Sequence, residues 1–262
     1  IQLCTYESQF RGWSIGGHGD AGAIDPPVAQ QPDSDAPGAA GSGVPTNQPE
    51  ARDVRDALVL ERVSPDEQDL ATPDGGVLTP PGAVDSGYRA LDELHRAVIV
   101  KAIGAGVNEA DVAADLVRAV DLDLVMLAGR YTLLEQPALT DFLPLAEQRG
   151  VGVVDVGVFN SGILVKPPEA GGNYDYGVAP PAIIERARAI KAVCAEFGVE
   201  MPAAAVQFPF GHPAVQAVVV GMSKLKAVQQ NMDWYRAPIP AELWTRLKDK
   251  GLLAAEAPTP TT

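Results

Sequence analysis

Apolar positions in this chain fall into two alternating patterns: short unbroken runs, and stretches in which they recur every three or four residues. The pattern is sharpest between Gly150 and Leu164. Val151 to Val156 is apolar apart from Gly152 and Asp155, which suits a strand covered on both faces. Asn160, Ser161 and Gly162 break the run with a small polar turn, where backbone N–H groups can approach a ligand. Just upstream, Leu139 to Arg149 reads as a helix that stops at Gly150, where a helix C-terminal glycine belongs.

The same unit recurs along the chain. Asp56 to Val63 is the first strand. A polar, proline-rich connection follows from Ser64 to Asp85, and Tyr88, Leu91, Leu94 and Val98 then step at helical spacing. Val98 to Ala105 reads as a strand closing on Gly104, Gly106 and Asn108, with Asn108 placed to cap a helix whose apolar face is Val112, Leu116 and Val120. Leu122 to Ala128 is a further strand, followed by Arg130 and Tyr131. Beyond the central unit, Ile183, Ala187, Ile190, Cys194 and Phe197 mark one face of a long helix, and Pro202 to Phe210 reads as a second. The strand Val215 to Val220 leads through Gly221, Met222 and Ser223 to helices over about 226–234 and 242–253, ending in a frayed tail, 256–262.

Strands alternating with helices predict a parallel α/β sheet with right-handed crossovers, either open or closed into a barrel. In both, ligands sit at the carboxyl ends of the strands. Asn108, Arg130, Tyr131, Asn160, Ser161 and Ser223 are therefore expected on one face.

Composition narrows the reading. At 262 residues the chain suits one barrel-sized domain or two smaller ones. A net charge of −14 argues against nucleic acid or an anionic membrane as partner. No segment approaches the roughly 20 apolar residues of a membrane span, and the opening residues lack the form of a signal peptide. Cys4 and Cys194 make neither a disulfide framework nor a zinc site, so a cytoplasmic setting is expected and no metal. Residues 1–50 differ from the rest: from Ala21 to Glu50 there is no aromatic residue, and small, polar and proline residues dominate, which predicts disorder. The remainder, about 51–255, forms the folded unit.

Several stretches resemble the aldo/keto reductase superfamily, and within it the D-threo-aldose 1-dehydrogenase branch: GYRALDEL from Gly87, VKAIGAGVNE from Val100, LAGRYTLLEQPAL from Leu127, FLPLAEQRGVGVV from Phe142, GVFNSGIL from Gly157, AAVQFPFGHPAV from Ala204 and VQQNMDWYRAPIPAELW from Val228. The resemblance runs from about residue 87 to 253 and implies part of a (β/α)8 TIM-type barrel, about strands 4 to 8, with NAD or NADP across the strand ends. It implies that Asn108 bonds the nicotinamide carboxamide and that Gly157, Phe159, Asn160, Ser161 and Gly162 line the pyrophosphate. Gly221, Ser223 and Lys224 would lie beside the adenosine phosphate, and Gln230 and Asn231 would read the adenine edge.

The departures carry information too. Ser223 stands where the branch commonly has arginine, with Lys224 and Lys226 close behind, so the nucleotide's 2′-position stays open. Asp155 falls where the branch places apolar or glycine residues. A carboxylate at that depth needs a partner, for which Arg130 is a candidate, or a raised pKa. The family's catalytic tyrosine, lysine, aspartate and histidine come from the first half of the barrel, yet no lysine precedes Lys101. The expectation is thus an NAD(P)-dependent oxidation of an aldose at its anomeric carbon, in a chain whose catalytic residues cannot be assigned. The alternative is a non-catalytic half-barrel that binds nucleotide or a partner, with open sheet edges that invite self-association.

Overall fold

The computed structural model describes residues 57–63, 87–165, 172–175, 177–222 and 224–261. The disorder expected over 1–50, the connection over 64–85 and the site residue Ser223 lie outside the described residues.

Strands β1 (Ala57–Val63), β2 (Ala102–Val107), β3 (Leu124–Ala128), β4 (Gly152–Val156) and β7 (Val215–Val219) form one sheet in the order β1-β2-β3-β4-β7. Every pairing is parallel. Helices α1 (Arg89–Arg96), α2 (Ala110–Ala119), α3 (Phe142–Arg149), α4 (Pro181–Glu196), α5 (Met201–Gln207), α6 (Leu225–Arg236) and α7 (Ala241–Asp249) complete the described units. A two-stranded hairpin, β5 (Asn173–Tyr174) with β6 (Gly177–Val178), interrupts the connection after β4; the sequence pattern did not predict it.

The two sheet faces differ because strand side chains alternate. Ala105, Val107, Val125, Leu127, Val153 and Val218 join the helices in the main core. Ala102, Leu124 and Val154 form a separate small cluster with Met126, Val156, Ala217 and Val219 on the other face. Helices on one face of a parallel sheet, with strands in chain order, are what consecutive units of a β/α barrel require. Close strand packing on the inner face demands a glycine once: a Cβ on Gly104 would lie 2.5 Å from the carbonyl oxygen of its register partner Leu124.

Four helix ends share one closing geometry. After α3, α4 and α7 the glycines Gly150, Gly198 and Gly251 adopt φ of 68°, 67° and 66°. The next N–H in each case bonds a carbonyl five residues back: Val151 to Ala146, Val199 to Cys194 and Leu252 to Leu247. Helix α1 closes the same way, with Ile99 N–H on Leu94 O, but the left-handed position is Val98, with φ 58°.

That geometry corrects one expected boundary. Val98 to Lys101 is not strand: Val98 and Ile99 are the exposed end of the α1 turn, and β2 starts at Ala102. Three other expectations change. Leu139 ends a short 3-10 turn, and α3 starts only at Phe142. The N-cap of α2 is Glu109, without a side-chain capping bond, so Asn108 does not cap it. The tail is packed rather than frayed: Ala257 is fully buried, and Gly211 leaves room only for the Pro258 carbonyl, 2.5 Å from where its Cβ would be.

Candidate functional site

Adjacent parallel strands stand about 4.8 Å apart, so the carboxyl ends of β2, β3, β4 and β7 bring their following residues into one row. Asn108 follows β2, Gly129 and Arg130 follow β3, Gly157 to Gly162 follow β4, and Gly221 and Lys224 follow β7. The expected clustering at one rim holds for these residues.

Tyr131 is the exception. Its side chain is fully buried in the helix-side core, with its ring 4.9 Å from Phe208 and 5.9 Å from His212. It has no place on the rim, because the chain after Arg130 turns down into the helix layer to continue the core.

The turn after β4 is tightly wound. Gly157, Asn160, Ser161 and Gly162 all have positive φ, at 71°, 45°, 56° and 88°. Gly157 and Ser161 are exposed, while Asn160 is only 6% exposed and its Oδ1 has no hydrogen-bond partner among the described residues. Its Nδ2 lies 4.0 Å from the position of a Cβ on Gly129.

Most of the turn's donors face inward. The N–H groups of Asn160, Gly162, Ile163, Leu164 and Val165 bond carbonyls of Gly157, Phe159, Asn160, Phe159 and Gly162. Ser161 N–H is outside that set. The turn therefore offers fewer free backbone donors than its composition suggests. Phe159 serves as an anchor: its ring meets Trp234 of α6 edge-on, with centroids 6.0 Å apart, and Trp234 Nε1 donates to Glu200 at 3.0 Å.

On the β7 side, Gly221 and Lys224 are exposed, and Lys224 occupies the N-cap of the 12-residue helix α6. Gln230 is exposed on that helix, whereas Asn231 is buried and lines an apolar crevice with Val206, Phe210 and Val220. Beside β2 and β3, a cleft of about 330 Å³ is lined by Glu109, Asp111, Arg130 and Asp141.

Arg130 does not reach Asp155. Its guanidinium contacts both carboxylate oxygens of Asp175 at 3.4 Å, and the Tyr174 hydroxyl donates to Glu135. These two contacts tie the β5–β6 hairpin to the segment after β3. Sequence reasoning missed them, since the partners lie 45 and 39 residues apart. It also missed Gly129, whose signal was available: like Gly157, it directly follows an apolar strand.

Asp155 is fully buried on the helix-facing side of β4, and neither carboxyl oxygen has a hydrogen-bond partner among the described residues. Burial holds its pKa well above the ordinary carboxylate range. Burial, and then the charge of Asp155, push the Tyr131 hydroxyl up from its usual value. The Tyr174 hydroxyl is raised as well, by burial and then by the Glu135 bond. His212 is buried, its Nδ1 accepts the Ala214 N–H at 3.2 Å, and burial lowers its pKa.

The aldo/keto reductase family model matches residues 51–251. The chain is 44% identical over 168 residues to pyridoxal 4-dehydrogenase of Microbacterium luteolum, covering 64% of this chain and 49% of that protein. It is 42% identical over 179 residues to D-threo-aldose 1-dehydrogenase of a Pseudomonas species, covering 68% and 53%. The chain thus spans about half the length of these relatives. Among solved structures, the apo form of aldo-keto reductase AKR11C1 from Bacillus halodurans superposes with a TM-score of 0.57 at 19% identity, over 77% of this chain and 63% of that one. That likeness concerns the barrel fold.

Proposed function

The chain belongs to the aldo/keto reductase family, and we propose that it holds NAD or NADP for oxidation of an aldose at the anomeric carbon. The observation that carries this reading is the rim itself. Gly129 and Gly157 are left-handed glycines on neighbouring strand ends, and Asn160 beside them keeps a buried oxygen without a partner among the described residues. A buried polar atom in that condition calls for a ligand or water.

The residues present fit a dinucleotide. Asn108 would meet the nicotinamide carboxamide, and Gly157 and Phe159 to Gly162 the pyrophosphate, Phe159 by fixing the turn on Trp234. Gly221, Ser223 and Lys224 would meet the adenosine phosphate, with Gln230 and Asn231 toward the adenine. Lys224 brings a point charge to the start of α6, where the helix dipole also favours an anion. When bound, the nicotinamide supplies the hydride-accepting carbon. The chain's own part is to bind it, orient it and exclude water from its pyrophosphate side.

A second reading, binding without turnover, is favoured by Tyr131 and Tyr174, the tyrosines that follow β3 and β4. Tyr131 is buried beside Asp155, and Tyr174 is committed to Glu135. Neither phenol is poised to exchange a substrate proton near neutral pH. A cytoplasmic setting goes with both readings, as does self-association through the β1 and β7 edges, which size-exclusion chromatography would measure. No described helix is long and apolar enough to cross a membrane.

The test is appearance of reduced nicotinamide with L-fucose, D-arabinose or pyridoxal as substrate. Turnover supports the dehydrogenase; nucleotide binding without turnover supports the second reading; neither binding nor turnover contradicts both.

A further inference from the structure

We propose that Asp155 is a proton-dependent latch beneath the Gly157–Gly162 turn, keeping the end of β4 closed while its carboxyl carries a proton. The argument starts from position. Asp155 is the penultimate residue of β4 and alternates with Val153 onto the helix-facing side. Leu127 and Val218 flank it in register on β3 and β7. It has no exposed surface, and both oxygens lack a hydrogen-bond partner among the described residues.

Among the described residues, the titratable groups of that layer include Tyr131 after β3, Cys194 on α4 and His212 ahead of β7, with Glu147 of α3 acting on His212. Of these, only Tyr131 feels the charge of Asp155. Burial pushes the Asp155 carboxyl up, and neither oxygen has a hydrogen-bonding cation among the described residues. Helix α3, which packs on β4, carries Glu147 and Arg149, and Arg149 donates to the Val117 carbonyl.

A carboxylate cannot remain in such a place unpaired. When the proton leaves to solvent, the group must reach water. Two residues on along its own strand, Gly157 is exposed, and it opens a segment in which Ser161 is held in the left-handed region against its preference. Opening is therefore directed to the turn rather than spread through the sheet.

The sign follows from linkage. An open or unfolded chain ionises this group near about pH 4, and the closed form does so at much higher pH. Closure is fully favoured below the lower value and is lost as pH rises toward the upper one.

The experiment is amide hydrogen exchange of the ligand-free full chain from about pH 5 to pH 9, comparing residues 156–164 with 124–128 on β3. Protection of 156–164, corrected for intrinsic exchange, should fall by up to about tenfold per pH unit before levelling. Protection of 124–128 should stay flat. Asp155→Asn and Asp155→Val should abolish the slope, and infrared spectra should show a protonated carboxyl band at neutral pH that is missing in Asp155→Asn. If either variant fails to fold, the wild-type band must still titrate in step with the loss of protection. Equal slopes in all three proteins, or no protonated band at neutral pH, overturn the proposal. Nucleotide is absent throughout, so the outcome is independent of the proposed function.

Discussion

Gly157 stands against Gly129 across the ends of β4 and β3: a Cβ on Gly157 would lie 3.3 Å from the Gly129 nitrogen, which donates to the Val156 carbonyl at 2.8 Å. Both residues are left-handed, at 71° and 69°. The contact closes the rim at the point where the nucleotide pyrophosphate is proposed to lie.

Gly157→Ala therefore meets a conformational penalty of about 1–2 kcal/mol and a tight contact with the Gly129 backbone. Urea unfolding should show a loss in that range. Nucleotide affinity should fall with it, since the turn would shift away from Gly129. Unchanged stability would mean the two strand ends are looser than described.

Val98 and Gly150 hold equivalent positions at the ends of α1 and α3, and only one of them suits its backbone. Val98 is 80% exposed, so its side chain contributes little packing. Val98→Gly should stabilise the protein by about 0.5–1 kcal/mol, the left-handed penalty less the extra freedom of glycine when unfolded. Gly150→Ala, with open space around the new methyl, should cost about 1 kcal/mol through backbone conformation alone. Equilibrium denaturation of the two variants checks both signs.

Gly211 and the tail form a lock without slack. A methyl at residue 211 would lie 2.5 Å from Pro258 O and 2.7 Å from Thr259 Cα. Gly211→Ala should cost about 1–3 kcal/mol if the tail stays. If the tail instead detaches, limited proteolysis after residue 254 should accelerate sharply.

His212 sets an acid limit. Its folded pKa is depressed by burial, so unfolding takes up a proton below about pH 6.5. Stability from this group is complete above that value and declines as pH falls toward the folded pKa. His212→Asn retains a side-chain acceptor for the Ala214 N–H but cannot titrate. It should flatten the decline in thermal stability between about pH 7 and pH 5.

The five-stranded sheet was legible because each strand is mainly apolar and is followed closely by a small or polar residue, and the alternation with helices leaves only parallel topologies. Val98 and Ile99 were misread for a physical reason: Val98-Ile99-Val100 has a strand's composition, but the chain closes α1 through hydrogen bonds that leave no trace in side-chain pattern. Tyr131 was misplaced because nearness to a strand end says nothing of which layer a side chain enters. The carboxyl of Asp155 was legible as a problem; that Arg130 does not partner it was not, since Arg130 finds Asp175 through a hairpin invisible to periodicity. Most of the proposed nucleotide residues came from resemblance, because a rim built from distant turns has no local signature.

Nucleotide titration of the ligand-free chain, followed by calorimetry and by amide exchange of residues 157–164 and 221–231, tests the central claim most directly. The account predicts saturable binding of NAD or NADP with protection of both segments, weakened by Gly157→Ala. Absence of binding at millimolar nucleotide, or binding that protects neither segment, would contradict it.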